Sequence, residues 1–578
     1  MKPLSSPVLK RRVLHSSSVA YAVALALATL PCVQAGAHGG LGSPVGGLIT
    51  VLAPSTNGQV HTSVVADAAG DFVVIWGAFD QDGSASGYGI YAQRYRSDGA
   101  PLGSAFRVNT DTRREQGNPA VAMDVAGGFV VAWDSFDQAG STSGYDIYAQ
   151  RYGSDGAPLG SNFLVSADTG DNQDHPVVAM DAEGDFVVVW EAFDQAGSGS
   201  DYDIYAQRYR SDGAPLGSNF LVNTVTSSDQ NYPVVAMDAA GSFVVAWQSF
   251  DQAGPTSKYD VYAQRYGSNG SPLGSNFLVN TYTSSYQDSP VVAMDATGSF
   301  VVAWQSLGQI GPTSRYDIYA QRYASNGAPL GSNFLVNTHT SGNQKQSAVA
   351  MDAAGEFVVA WESYGQIANH YSDVYAQLYS ASGAALGSNF LVPGLTPTAS
   401  SATYVASGAP SVAMDAVGDF VIAQEGYYVT DSGSHTYHFT DSTVQRYQGE
   451  SVSSPGVAVT GVSSDDTVIP GSPFSVSFEV VNQAAPSFET ADADLNSFIR
   501  TAMDPATTVP LTCTYTGLVG ARQYSPPHLV GLMAPDAPGT IVYGATVPGS
   551  NRPPFTGSVT VANPPNSDSA CWCSRRVD

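Results

Sequence analysis

Apolar and polar positions alternate along most of this chain in short runs, and two of these runs recur at a fixed period. The phrase Phe-Val-Val-x-Trp begins at Phe72, Phe129, Phe186, Phe243, Phe300 and Phe357, each 57 residues after the last. An altered seventh copy begins at Phe420 and carries Gln424 where the others carry Trp. Tyr-Ala-Gln-Arg-Tyr keeps step from Tyr91, Tyr148, Tyr205, Tyr262 and Tyr319, weakens at Tyr375, and survives as Gln445, Arg446 and Tyr447. Self-similarity of this length marks a repeat architecture, in which each unit buries its apolar face against the next.

Within the fourth unit, residues 233–237, 243–247, 260–266 and 277–280 are rich in Val, Phe, Tyr and Trp and read as four strands. No unit sustains a helical period. The third-to-fourth connections carry Asp98-Gly99, Asp155-Gly156, Asp212-Gly213, Asn269-Gly270 and Asn326-Gly327, dipeptides that accept positive φ and favour tight hairpins. Four antiparallel strands repeated seven times is the pattern of propeller blades. The register of the repeat places Ile49 over Phe220, Val51 over Val222 and Gln59 over Gln230, so residues 48–52 predict a fourth strand with no blade of its own. The seventh unit, reciprocally, stops after its third strand at Tyr447. The expected fold is therefore all-β: a seven-bladed β-propeller of four-stranded blades over 47–447, closed by the N-terminal strand so that no sheet edge is left open. The Val-Val-Ala-Met run should line the channel, and the Phe and Trp of the second strand should fill the gaps between blades.

On these motifs the repeat resembles the seven-bladed propellers of secreted bacterial proteins, without the Gly-His to Trp-Asp signature of WD repeats or the full Asp-x-Asp-x-Asp-Gly calcium loop of integrin-type repeats. After a linker at 448–456, the alternation of Phe474, Val476, Phe478 and Val480, with strand-like runs at 540–547 and 557–562, resembles the immunoglobulin-like β-sandwich modules of bacterial surface proteins, over about 457–566. Residues 492–503 read as one short helix inside it, and 567–578 as a tail.

Residues 1–37 read as an export signal: Lys10, Arg11 and Arg12 precede a short apolar run from Val19 to Leu30, then small Ala35 and Ala37. The run is short for a bilayer span, so no membrane span is expected and the mature chain should be secreted, periplasmic or at the cell surface. Acidic residues outnumber Lys plus Arg by 50 to 23, for a net charge of −27. That balance excludes nucleic acid and anionic membrane as partners, since both require a basic patch. Beyond the signal only Cys513, Cys571 and Cys573 remain, allowing one disulfide, Cys513 with Cys571 or Cys573.

Strand order places the fourth-to-first and second-to-third connections on one end of the ring, and these long loops are where function is expected. Gln59, Gln116, Gln173, Gln230, Gln287 and Gln344 recur there, with Ser407 in the seventh unit, as either a polar crown at the channel mouth or caps serving the blade. Asp80-Gln81, Asp137-Gln138, Asp194-Gln195 and Asp251-Gln252 open the second-to-third loops. Asp80 and Asp82 come nearest a calcium loop, and no other cofactor is expected. The seventh unit spaces Phe420 to Thr443 by 23 where the first five units have 19. Its loop holds Tyr427, Tyr428, Asp431, His435, Tyr437, His438 and Asp441, aromatic and polar groups suited to a sugar, with His435 and His438 as a thin metal pair. No nucleophile elbow, zincin helix, phosphate loop or dinucleotide fingerprint is present. The leading expectation is a monomeric extracellular protein that binds a glycan or protein ligand, or a cation, on this face, without catalytic residues. The alternative is a propeller hydrolase or lyase acting on extracellular polysaccharide.

Overall fold

The computed structural model describes most of residues 44–449, leaving out 52–58, 80–86, 141–142, 198–200, 255–256, 312–314, 368–369, 395–403, 417, 432–434 and 440–441; beyond Gly449 it describes the backbone of the strands. Gly42–Gly449 belong to one compact unit and Glu450–Asp578 to another. All regular structure among the described residues is strand, and no helix there is long and apolar enough to cross a membrane.

Residues 44–449 form a β-propeller. Blades 1 to 5 are separate four-stranded antiparallel sheets; blade 3, for example, runs Gln173–Met180, Phe186–Phe193, Tyr202–Tyr209 and Phe220–Leu221. Blade 6 holds Gln344–Met351, Phe357–Tyr364, His370–Tyr379 and Ala385–Leu391, and blade 7 holds Tyr404–Met414, Phe420–Asp431 and Thr443–Tyr447. These two blades share one sheet because His370 and Ser372 pair in parallel with Val405 and Ala406. The first strand of each blade neighbours the first strand of the next, and Gln59–Ala66 of blade 1 neighbours Tyr404–Met414 of blade 7, so seven inner strands close into a ring.

Closure follows the repeat register. Pro44–Thr50 pairs antiparallel with Thr443–Tyr447, with Ile49 opposite Val444, and so becomes the fourth strand of blade 7. In blade 3 the equivalent Phe220 lies opposite Ala206. Val51 donates its N–H to Ser442 O at 2.9 Å, as Val222 donates to Ile204 O at 2.8 Å. Fully buried Val51 then packs with Val64, Phe72 and Trp76 of blade 1 and Val421 and Val444 of blade 7.

Aromatic triads fill the seams between blades. Tyr152 stacks on Phe129 of its own blade with centroids 4.7 Å apart and meets Phe106 of the preceding blade at 5.4 Å. The same sandwich recurs at Tyr209, Tyr266, Tyr323, Tyr379 and Tyr447. On the short-turn face an arginine of six of the seven third strands grips a carbonyl in the turn of the next blade. Arg94 reaches Asp155 O at 2.6 Å, Arg151 reaches Asp212 O at 2.7 Å, Arg265 reaches Asn326 O at 2.6 Å, and Arg446 closes the circle on Asp98 O at 2.6 Å. Blade 6 carries Leu378 at this position, and its seam with blade 7 is held by the parallel pairing instead.

Among its described residues the second unit contains three sheets, ordered with Pro473–Asn482 between Val457–Val462 and His528–Met533 in one, and with Gly539–Thr546 between Phe555–Val561 and Phe498–Met503 in another. The helix expected over 492–503 is corrected. Phe498–Met503 is a strand, paired on both sides with Pro510–Tyr515 and Gly539–Thr546, because ladder hydrogen bonds on two edges outweigh a weak local helical pattern. Cys513 lies opposite Arg500 in that ladder, while Cys571, Cys573 and residues 1–37 lie outside the described residues.

Candidate functional site

Gln116, Gln173, Gln230, Gln287 and Gln344 head the inner strands and are fully buried. Each amide oxygen accepts the indole N–H of its own blade's Trp: from Trp133 at 3.0 Å, Trp190 at 2.9 Å, Trp247 at 2.8 Å, Trp304 at 3.1 Å and Trp361 at 2.9 Å. Burying an indole leaves a donor that must be satisfied, and the Gln is drawn inside its blade to do so rather than facing the mouth or bridging to a neighbour. Blade 7 replaces both partners together, with Ser407 and Gln424, and Gln424 turns its Nε2 to Pro393 O at 2.5 Å. Gln59 heads the matching strand of blade 1, and its side chain lies outside the described residues.

The second-to-third loops are also tied to their blades. Asp137, Asp194 and Asp251 take left-handed φ of 53°, 54° and 55°, and Gln138 and Gln252 each accept a serine hydroxyl, from Ser135 and Ser249, at 2.7 Å.

What faces the axis is a different position, two residues past each Gln. There the register between first and second strands slips, and the residue adopts positive φ: His61 56°, Asn118 44°, His175 52°, Tyr232 53°, Ser289 51°, Gln346 50° and Ala409 47°. A side chain in this conformation costs on the order of 1 kcal/mol or more, and the fold accepts that cost seven times to form bulges at the mouth. Pro119, Pro176, Pro233, Pro290 and Pro410 follow in five blades; the bulge accommodates a residue with no ladder donor, which is why the inner strands extend past prolines that mark strand starts in the sequence. Six of the seven bulge residues are partly exposed, and Ala409 is buried.

A second ring supports the first. Glu191 accepts the Tyr232 N–H at 3.1 Å, Gln248 the Ser289 N–H at 3.0 Å, Gln305 the Gln346 N–H at 3.2 Å and Glu425 the Thr62 N–H at 3.0 Å. Four second strands thus hand a side-chain oxygen to the bulge of the next blade.

The titratable groups of this mouth have divergent proton affinities. Burial, then the charge of His175, hold His61 down at about 4 despite a hydrogen bond to Asn118, so it is a neutral imidazole at neutral pH. Asn118 in turn donates from Nδ2 to Asp134 Oδ2 at 2.6 Å, which fixes the amide that orients His61. Burial alone would lower His175 too, but Glu191 and Asp174 outweigh it and hold the imidazolium well above its ordinary range. Burial pushes Asp134 and Asp174 up to about 6 and Glu425 up to about 7.

Glu425 supplies a stability test. A carboxyl whose affinity for its proton is higher folded than unfolded contributes fully below the unfolded pKa, and that contribution is lost as pH rises through the folded value of about 7. The expected loss is about 3 kcal/mol between roughly pH 4 and pH 8.5. Glu425→Gln keeps the acceptor for Thr62, as Gln248 and Gln305 do natively in blades 4 and 5. Thermal melts across this range should fall at the alkaline end for the wild type and flatten for E425Q; parallel curves would contradict the burial of this carboxyl.

The long loop of blade 7 is a hairpin rather than an open loop. His435–Phe439 pairs back on the second strand, with Tyr427 opposite Phe439, Tyr428 opposite His438, Val429 opposite Tyr437 and Asp431 opposite His435. The side chains of these residues, together with Asp80, Asp82 and Asp441, lie outside the described residues. The seven bulge positions are not legible in the repeat itself, because a repeat marks what its units share. Their signal was the opposite: one column, two residues beyond the Gln, that carries six residue types in seven units.

A ring of four-stranded antiparallel blades defines this chain as a β-propeller protein. No protein-family model matches the sequence, and no curated protein does. Among solved structures it is similar to a protein of unknown function from Dyadobacter fermentans, at 12% identity over 57% of this chain and 94% of that chain, with a TM-score of 0.37. It is also similar to an ulvan lyase described as a new family of polysaccharide lyase, at 11% identity, 65% and 94% coverage and a TM-score of 0.40. An α-L-arabinanase from Penicillium chrysogenum complexed with arabinobiose follows at 11% identity, 57% and 93% coverage and a TM-score of 0.38. Likeness at this level leaves the chemistry to the mouth itself.

Proposed function

We propose that this propeller is an exported carbohydrate-active protein that takes a neutral glycan into its axial mouth and acts on it by acid–base chemistry. The observation that carries the reading is the bulge ring: the column that holds six residue types in seven blades is the one aimed at the mouth, at a conformational cost, and there proton affinities diverge most. Imidazole, amide, phenol and hydroxyl groups at His61, Asn118, Tyr232, Ser289 and Gln346 suit an asymmetric polyol. The charge of the mouth selects against uronates, because one imidazolium, His175, stands beside the carboxyls of Asp174 and Glu191.

His61, neutral and oriented through Asn118, is the base of this reading, and Glu425, which holds its proton to about pH 7, is the acid. The full chain should retain a neutral glycan on an array and release reducing ends from it. His61→Gln should lower kcat by about a hundredfold or more, with binding retained. Failure to hold any neutral glycan would overturn the reading. Binding without turnover would favour a second one, a glycan-binding scaffold, which the commitment of Glu191 and Glu425 to blade-to-blade hydrogen bonds supports.

A further inference from the structure

Three positions per blade meet at the mouth: the residue before the bulge, the bulge residue, and the second-strand residue opposite them. The repeat makes each blade a control for the others. Blade 1 carries Val60, His61 and Gly77; blade 2, Gly117, Asn118 and Asp134; blade 4, Asn231, Tyr232 and Gln248. Blade 5 carries Asp288, Ser289 and Gln305; blade 6, Lys345, Gln346 and Glu362; blade 7, Gly408, Ala409 and Glu425. Blade 3 alone places a metal-ligand type at all three, as Asp174, His175 and Glu191.

One ligand atom from each of these three side chains lies within 4.8 Å of the other two. His175 Nδ1 is 3.1 Å from Asp174 Oδ1 and also contacts Glu191 Oε1. The 3.1 Å separation matches neighbouring ligands around an ion held at about 2.0–2.2 Å, and the closer His175–Glu191 contact opens when an ion replaces the shared proton. The shell beyond them is built as well. The Tyr232 N–H holds the other oxygen of Glu191 at 3.1 Å, an outer contact of the kind that orients a ligating carboxylate. The Asp174 and Glu191 side chains are 9% and 5% exposed, whereas that of His175 is 18% exposed, so the cluster is walled by protein and opens to the mouth through the imidazole.

We propose that Asp174, His175 and Glu191 form a binding site for one first-row divalent cation of the zinc class. A nitrogen ligand beside two carboxylates disfavours calcium and magnesium, which take all-oxygen sets. Binding replaces the Nδ1 proton of His175 with the ion and releases that proton to solvent, with no change of oxidation state. Three protein ligands leave a further position facing the mouth. The proposal does not depend on the glycan reading, since it rests on blade 3 alone and its test needs no sugar.

The test uses the full chain, stripped of metal with chelator and titrated with Zn(II) by calorimetry and with Co(II) by proton NMR. One equivalent should bind, release a proton that scales with buffer ionisation enthalpy, and in the Co(II) form give a hyperfine-shifted imidazole resonance. Glu191→Gln and the triple variant D174N/H175Y/E191Q, which rebuilds blade 3 as blade 4, retain side chains this fold already carries at those positions. E191Q should weaken binding at least about tenfold, and the triple variant should abolish both the heat and the shifted resonance while melting cooperatively. Absence of binding to the stripped wild-type chain, or binding unchanged in the triple variant, would overturn the site and leave the cluster a buried ion pair.

Discussion

Trp247→Ala should lower the unfolding free energy by about 3–5 kcal/mol through the cavity it leaves, with about 1–3 kcal/mol more from the orphaned acceptor. The side chain is fully buried, and its indole N–H is the donor at 2.8 Å to Gln230, itself fully buried. Removing the ring therefore strands a buried amide oxygen as well as opening a void. Trp247→Phe separates the two effects, since it refills most of the volume and forfeits only the hydrogen bond. The urea midpoint should fall furthest for Ala, by an intermediate amount for Phe, and least for the double variant W247F/Q230L, in which only the partly exposed Ser228 carbonyl loses its donor. A Trp247→Ala midpoint close to the wild-type value would contradict the burial.

The second large effect is expected at the seam that joins the chain's beginning to the end of the ring. Val51→Asp places a charge where the side chain has no exposure, among Val64, Trp76, Val421 and Val444, and should cost about 3–5 kcal/mol or more. Its consequence differs from that of Val222→Asp at the equivalent place in blade 3. The Val222 substitution strains a blade whose strands follow one another in the chain. The Val51 substitution releases a strand that the chain joins to the ring at its C-terminal end, through Gln59–Ala66 of blade 1, and bares the edge of Thr443–Tyr447. Limited proteolysis should cut V51D near residue 50 and leave V222D intact there, and V51D alone should associate through the opened edge. Equal behaviour of the two would mean that the N-terminal strand is not what seals the wheel.

Much of the architecture was open to reading because a 57-residue period shows both the unit and its surplus. Ile49 aligned with Phe220, and the two occupy matching places opposite Val444 and Ala206. The buried role of the Gln column was harder to see, since its partner lies 17 residues away in the next strand. Yet the joint loss of Gln and Trp in the seventh unit, as Ser407 and Gln424, was already a trace of their contact. The mouth was least legible. Apolar alternation reports which residues are inside, and a bulge that rotates one residue toward the axis breaks that alternation at the point where chemistry is placed. The prolines after the bulges concealed it further, by resembling strand boundaries.

The arginine grips on the short-turn face bear on how such a wheel can change over generations. Each guanidinium holds main-chain oxygens, so the recipient turn is free in its side chains; Asp98, Asp155, Asn326 and Ser382 all serve. The glycine after each has no such latitude, because Gly99, Gly156, Gly327 and Gly383 hold φ of 86°, 81°, 83° and 84°, which other residues adopt only with strain. One recurring partner pair with a permissive remainder lets a duplicated unit diverge without losing its grip on its neighbours. A copied blade can then acquire a new residue at the opposite end, where the ligand enters, while its fastening stays unaltered.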